Sequence, residues 1–213
     1  MPGSALHALP DAHGAYLHEG KRHGTVLVWR QGVSHRAWEK IGPDDDLADA
    51  LSGYAGCSDC YLSVNEFYGW RKVNLLRSLR ACFVDLDNCT SIDAALLAVD
   101  DACLPMPSYA VHSGRGVHLY WAMEPVGSQA LPVWQAIQAT LVKTLASVGA
   151  DPLAKDCTRV LRLVGTINSK TGEKVWGRVI TPGRWTLHQL ADEVLGLREN
   201  IREGVLPRNH GRL

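Results

Sequence analysis

The stretch "ACFVDLDNCT", residues 81–90, constrains this chain more than any other. Apolar residues run straight into Asp85, Leu86 and Asp87, so the segment reads as a buried strand that ends in two acids. Side chains on a strand alternate between faces. Asp85 and Asp87 therefore share one face, while Val84 and Leu86 point the other way into a core. Two carboxylates held that close resist ionising together. A bound divalent cation removes the penalty, and oxygen donors of this kind suit Mg²⁺ or Mn²⁺. The competing reading is a strand end at which both acids face water.

The rest of the chain narrows the classes available. At 213 residues it is one domain, or one domain with appendages. A hydrophobic content of 46% supplies a core without disulfide staples. The apolar runs are far too short to span a bilayer. The opening "MPGSALHALPDAHGAY" lacks the basic-then-apolar order of a signal peptide, so a cytoplasmic protein with no membrane partner is expected. The 22 basic and 22 acidic residues cancel. Stand-alone duplex binders carry a basic excess, so neutrality disfavours that class. It leaves room for a site that holds one nucleotide and a short piece of strand. Cys57 and Cys60 make a lone "CSDC" with no second pair, which is half a structural zinc site; reduced, buried thiols are expected instead.

Residues 1–23 are polar, with His7, His13, His18 and His23 on no common face, and are expected to be poorly ordered. Strands are predicted at 24–32, 60–68, 107–123 (two, joined by a glycine-rich turn), 158–165 and 173–180. Helices are predicted at 45–54, 72–80, 91–104 with Ser91 as cap, 128–150 closed by Gly149, and 186–197 with Thr186 as cap. The tail 198–213 has little core content. Strands and helices in this irregular order suggest an α+β fold on a mixed or antiparallel sheet.

Two further segments carry chemistry. In "VHSGRGVHLYW" the glycines let the backbone turn tightly and approach a ligand, exposed N–H groups can cradle phosphate, Arg115 adds a cation, and His118 leaves on the strand. The bland alternative is a hairpin with a satisfied histidine. In "GADPLAKDCTRVLRLVGTINSKTGE", Asp151 and Asp156 offer a third acid, and Arg162 with Lys170 can hold a triphosphate. Arg159 reads as a surface charge on an edge strand.

Taken in this order, the three segments resemble the archaeo-eukaryotic primase–polymerase superfamily, and within it the small replication primases of plasmids and phages. The family's acid-hydrophobe-acid motif is matched by "FVDLDN", its glycine-rich turn ending in histidine by "SGRGVHLYW", and its basic strand by "RVLRLVGTINSK". "YLSVNEFY" is similar to the strand that precedes the acids. The resemblance covers roughly residues 55–195. Val164 stands where the family usually has proline, which removes no reactive group.

The resemblance implies an RRM-like palm sheet packed against a smaller, largely N-terminal α/β unit, with the catalytic domain spanning residues 24–197. It implies that Asp85, Asp87 and Asp151 hold two Mg²⁺ or Mn²⁺ ions, with Asp156 as the alternative third acid. Ser113, Arg115 and His118 would bind the incoming nucleoside triphosphate, and Arg162 and Lys170 its remaining charge, with Asn168 as a weaker candidate. Arg71, Lys72, Arg77 and Arg80 form a candidate basic patch for template phosphates. The activity implied is primer synthesis on single-stranded DNA by a monomer, alongside a helicase or an origin-binding protein. Two rivals remain: a non-enzymatic plasmid-origin binding module, and a metal-dependent glycosyltransferase using "D-x-D". The second leaves the glycine-rich turn and the basic strand without a role.

Overall fold

The computed structural model describes residues 6–33 and 37–196. The chain opens with β1 (Leu6–His7), α1 (Pro10–Leu17), β2 (Val26–Arg30), β3 (Trp38–Ile41), α2 (Leu47–Ser52), β4 (Cys60–Ser63) and β5 (Glu66–Phe67). It continues through β6 (Leu76–Leu86), α3 (Ile92–Asp101), β7 (Tyr109–His112), β8 (Val117–Gly127), α4 (Leu131–Thr144), β9 (Val160–Arg162), β10 (Trp176–Val179) and α5 (Leu187–Leu195). The strands form two antiparallel sheets: six strands in the order β1-β10-β7-β8-β6-β5, and four in the order β3-β2-β4-β9. The α+β class and the division into a large palm-like sheet and a smaller, mainly N-terminal sheet hold. Among the described residues no helix is long and apolar enough to cross a membrane.

The long central strand β6 organises the large sheet. Leu79, Ala81, Cys82, Phe83, Val84 and Leu86 are all buried. One side of β6 pairs with β8 along most of its length, whereas β5 covers only its start. The rest of that edge would leave polar backbone unpaired, and buried backbone must find partners. Other groups close it one after another. Asn65 Oδ1 accepts from the Arg80 N–H at 2.8 Å, and Trp134 Nε1 donates to the Ala81 carbonyl at 2.9 Å. The Gln138 amide, fully buried on α4, takes both the N–H and the carbonyl of Phe83 at 3.0 and 2.5 Å.

Three expectations fail. Residues 72–80 are not a helix: a short 3₁₀ turn at Val73–Leu75 leads into β6. Leu75, Leu76 and Leu79 mimic helical spacing because this strand is covered on both faces and shows no clean alternation. Residues 60–68 are not one strand: β4 lies in the small sheet and β5 in the large one, and Asn65 between them bonds the Cys157 carbonyl. Residues 6–23 are ordered. β1 pairs with β10, and α1 lays His13 and Tyr16 against Tyr109 at ring-centroid distances of 5.6 and 4.6 Å. The histidines there are packing groups: His13 and His18 are buried, and burial first, then neighbouring rings, lower His13 to about 3. Residues 1–5 and the tail 198–213 lie outside the described residues.

The helices predicted at 45–54, 91–104 and 186–197 form with their caps. Ser91 accepts from the Ala94 N–H, and Thr186 makes a reciprocal capping box with Gln189. The segment 128–150 carries α4 flanked by 3₁₀ turns and ends at Gly149 in the left-handed region.

Candidate active site

The register of the large sheet assembles the acids. Asp85 on β6 lies opposite His118 on β8, so the two side chains share a face; His118 Nε2 is 3.6 Å from Asp85 Oδ1. On the free edge of β6, the segment after Gly149 adds as a short antiparallel bridge. Asp87 N–H donates to the Gly149 carbonyl at 3.0 Å, Asp151 N–H to the Asp85 carbonyl at 2.8 Å, and Leu86 bridges Ala150. Asp151 is thereby set beside Asp85. Asp151, Asp85 and His118 form one line across three chain segments, and Asp87 follows two residues further along β6.

This closeness needs two glycines. A Cβ on Gly149, whose φ is +97°, would fall 2.6 Å from the Asp87 carbonyl oxygen. A Cβ on Gly116 would collide with the Leu86 carbonyl oxygen. The glycine-rich turn and the third-acid loop thus clasp the acid-bearing end of β6 from either side.

Asp85 and Asp87 open into a cleft of about 600 Å³, which Asp156 lines and Asp151 does not. Asp85, Asp87, His118, Arg115 and Ser113 line it from the large sheet, and Arg162, Asn168 and Lys170 from the β9 region. Asp85 is held above the ordinary carboxylate range: burial is the main cause, the charges of Asp87 and Asp151 add to it, and His118 opposes it. His118 is buried and held below its ordinary value by burial, with Asp85 pulling the other way. The lowered value favours a neutral imidazole over a fixed cation.

Each remaining candidate has a defined place. The Ser113 hydroxyl is occupied inside the turn, donating to the Gly116 carbonyl and accepting from the Gly116 N–H. Asn168 Nδ2 donates to the Ser113 carbonyl at 2.9 Å, and Asn168 Oδ1 accepts from the Lys170 N–H, so Asn168 ties the basic segment to the turn. Arg115 reaches Asp87 at 3.5 Å. Arg162 is buried and pairs with Asp59 at 2.7 Å, which leaves it less free charge than its sequence position suggests. Lys170 is exposed. Asp151 Oδ1 accepts from the Leu153 N–H within its own loop, and Asp156, which lines the cleft, is paired with Arg159 at 3.0 Å.

The supposed basic patch does not exist as a unit. Arg80 is wholly buried against Glu66, Arg77 lies over the Tyr68 ring, and Arg71 donates to the Thr158 carbonyl while covering the Trp38 ring. The helix that would have gathered them is a strand.

Sequence reasoning missed the small-sheet side of the cleft, where Trp29, Trp38 and Tyr61 form a wall. No motif marks them: β2 reads as a continuous apolar run, and only the alternation along β4 hints that Tyr61 faces away from the core.

The donor chemistry of the acids fits Mg²⁺ or Mn²⁺. No group of three His, Cys, Asp or Glu side chains among the described residues forms a ready cage. Mg²⁺ commonly binds through one or two carboxylates and completes its shell with water and substrate phosphates. Asp85, raised by burial and by two acidic neighbours, is the carboxylate whose ionisation such a cation would favour.

Comparison with known proteins agrees with this architecture. No protein-family model matches the chain. It is 38% identical over 158 residues, 69% of its length, to a replication protein of Clostridium perfringens, and spans 36% of that longer protein. Among solved structures, the AEP domain of the cyanophage S-2L primase-polymerase superposes with a TM-score of 0.61 at 22% identity, covering 86% of this chain and 95% of that one. The catalytic domain of primase RepB′, in a complex with initiator DNA, superposes with a TM-score of 0.54 at 12% identity, covering 92% and 97%.

Proposed function

We propose that this chain, which has the fold of the archaeo-eukaryotic primase–polymerase catalytic domains, is the catalytic domain of a replication primase. It would use a single-stranded DNA template to join nucleoside triphosphates into short primers. The observation that carries the reading is the line Asp151–Asp85–His118, of which Asp85 and His118, with Asp87, line a cleft that Arg115 and Lys170 also line.

Asp85, Asp87 and Asp151 would hold the divalent ions, Mg²⁺ or Mn²⁺. When bound, such ions supply charge stabilisation for the attacking 3′-hydroxyl and the departing pyrophosphate. The protein's own work is positioning, which is most of what phosphoryl transfer asks for. His118, which lines the cleft with Nε2 3.6 Å from Asp85 Oδ1, would donate to a triphosphate oxygen. Arg115, tethered to Asp87 by a long contact, can swing to the same phosphates. Asn168 fixes the turn and the start of the Lys170 segment relative to each other. Ser113 would act through the turn's shape, since its hydroxyl is already bonded.

A primer-synthesis assay with labelled nucleotides, a single-stranded template and Mn²⁺ or Mg²⁺ tests the reading. Asp85→Ala with Asp87→Ala is expected to keep the fold and lose synthesis; wild-type activity in that variant would sink it. An origin-binding module would bind DNA without incorporating nucleotide, with or without the acids. His118→Ala is expected to raise the apparent KM for nucleotide.

A further inference from the structure

Four residues from four strands line up across the small sheet. Trp38 on β3 lies opposite Trp29 on β2, Trp29 opposite Tyr61 on β4, and Tyr61 opposite Arg162 on β9. Opposed residues in antiparallel pairs project from the same face, so register alone builds one row over the whole sheet. The rings are close to parallel. Trp29 and Trp38 have centroids 5.8 Å apart at 19°, and Trp29 and Tyr61 5.0 Å apart at 32°. A guanidinium closes each end: Arg71 lies 4.6 Å from the Trp38 ring and Arg162 5.0 Å from the Tyr61 ring. Both are held in place, by the Thr158 carbonyl and by Asp59. All five residues line the cleft that contains Asp85 and Asp87.

Aromatic cross-strand pairs also serve simply to stabilise sheets. Here the core lies on the other face, where Val28 and Leu62 are buried, while Trp29, Trp38 and Tyr61 remain half-buried towards the cleft. Half-exposed rings flanked by fixed cations are the surface on which unpaired bases stack, with little regard to sequence. We propose that the row Trp38–Trp29–Tyr61 is a stacking platform for the unpaired bases of the single-stranded template. The proposal rests on the primase reading and adds the means by which the strand is held. Three rings in series offer more than one base a place, which favours a strand rather than the incoming nucleotide as occupant.

The test is fluorescence anisotropy of a labelled oligothymidylate of about a dozen nucleotides, titrated with the full chain without nucleotide or divalent ion. Trp29→Leu with Tyr61→Leu is expected to weaken binding by about tenfold or more, and Trp29→Phe with Tyr61→Phe to retain it, with thermal melting confirming that each folds. Where the leucine pair does not fold, Trp38→Leu alone makes the same comparison. The proposal is overturned by a wild-type chain that does not bind the oligonucleotide, by leucine variants that bind it as wild type, by phenylalanine variants as weak as leucine ones, or by leucine variants that lose affinity for a labelled nucleoside triphosphate alone. Ring-dependent binding without primer synthesis would uphold the platform and refute the catalytic reading; synthesis without ring dependence would do the reverse.

Discussion

Glu66 and Asp85 stand at opposite ends of β6's reach in the same sheet, each with a histidine beside it, and they are perturbed in opposite directions. His18 Nδ1 is 3.8 Å from Glu66 Oε1, and His118 Nε2 is 3.6 Å from Asp85 Oδ1. Burial pushes both carboxyls up. At Glu66 that push is overcome by His18, by the Arg80 guanidinium and by the His23 N–H, and the group falls to about 2. Arg80 Nε donates to Glu66 Oε1 at 2.7 Å, and its other nitrogens to the Glu19 and Lys21 carbonyls, so every charge at that end is answered. At Asp85 His118 and the more distant Arg159 oppose the push without overcoming it, Asp87 and Asp151 add to it, and among the described residues no Lys or Arg is within ion-pair distance. The first arrangement is complete without a ligand and locks β5 to β6 and to the chain before β2. The second has an excess of negative charge that a divalent cation would offset. Unanswered charge, rather than buried charge, separates the site from the scaffold.

The largest effect should come from removing that excess. Asp85→Asn with Asp87→Asn keeps shape and removes charge; synthesis should fall at least a hundredfold to a thousandfold, the scale of removing a principal electrostatic group, while the urea midpoint stays level or rises. Breaking the completed pair should do the opposite. Arg80→Met strands the Glu66 carboxylate in the core and should cost about 3–5 kcal/mol of stability, read by urea unfolding. A double change, Arg80→Met with Glu66→Gln, should recover part of it. If Arg80→Met leaves stability untouched, Glu66 is not the structural counterpart drawn here.

Why the two ends differed in legibility follows from how each is built. Asp85 and Asp87 are two residues apart, and the turn that carries Arg115 and His118 is a contiguous run, so local sequence displays them. The Glu66–Arg80 pair reads as unrelated charges because the strand 76–86 hides its period beneath two buried faces. The sequence therefore puts Arg80 on a solvent-facing patch, whereas it is buried against Glu66. The row Trp38–Trp29–Tyr61–Arg162 is invisible for a related reason: its members come from four segments that only register brings together. Ordering of residues 6–23 was missed because α1 is fixed by ring contacts with β7 rather than by an apolar stripe of its own.

A smaller effect should come from Gln138, which serves both the acid strand and the third-acid loop. Its amide bonds Phe83 on β6 and, at 3.2 Å, the Ala154 carbonyl three residues past Asp151. Gln138→Leu leaves those groups unpaired and should cost about 1–3 kcal/mol. If the amide also positions Asp151, synthesis should drop through kcat with little change in the nucleotide KM. A parallel loss in oligonucleotide affinity would instead point to general loosening.

The finest separation between the two carboxylates is in acid. Glu66 titrates at about 2 in the folded chain against 4.5 unfolded, so its contribution is complete above 4.5 and is lost as pH falls towards 2. His13, lowered to about 3 from 6.5 by burial, adds acid sensitivity of the same sign at higher pH. Asp85 has the opposite sign. Its folded value lies above 3.8, so the folded state binds the proton more tightly, and ionisation removes stability as pH rises through that folded value. Asp85→Asn should therefore be more stable than wild type at neutral pH, and the advantage should vanish below 3.8, where the carboxyl is protonated in both states. Comparing wild type with a single variant cancels the shared losses at Glu66 and His13. The measurement is the difference in urea midpoint across the acid range. An advantage that grows as pH falls, or an Asp85→Asn variant weaker than wild type at neutral pH, would mean that the contact with His118 already satisfies Asp85 and that this end of β6 carries no excess charge for a cation to offset.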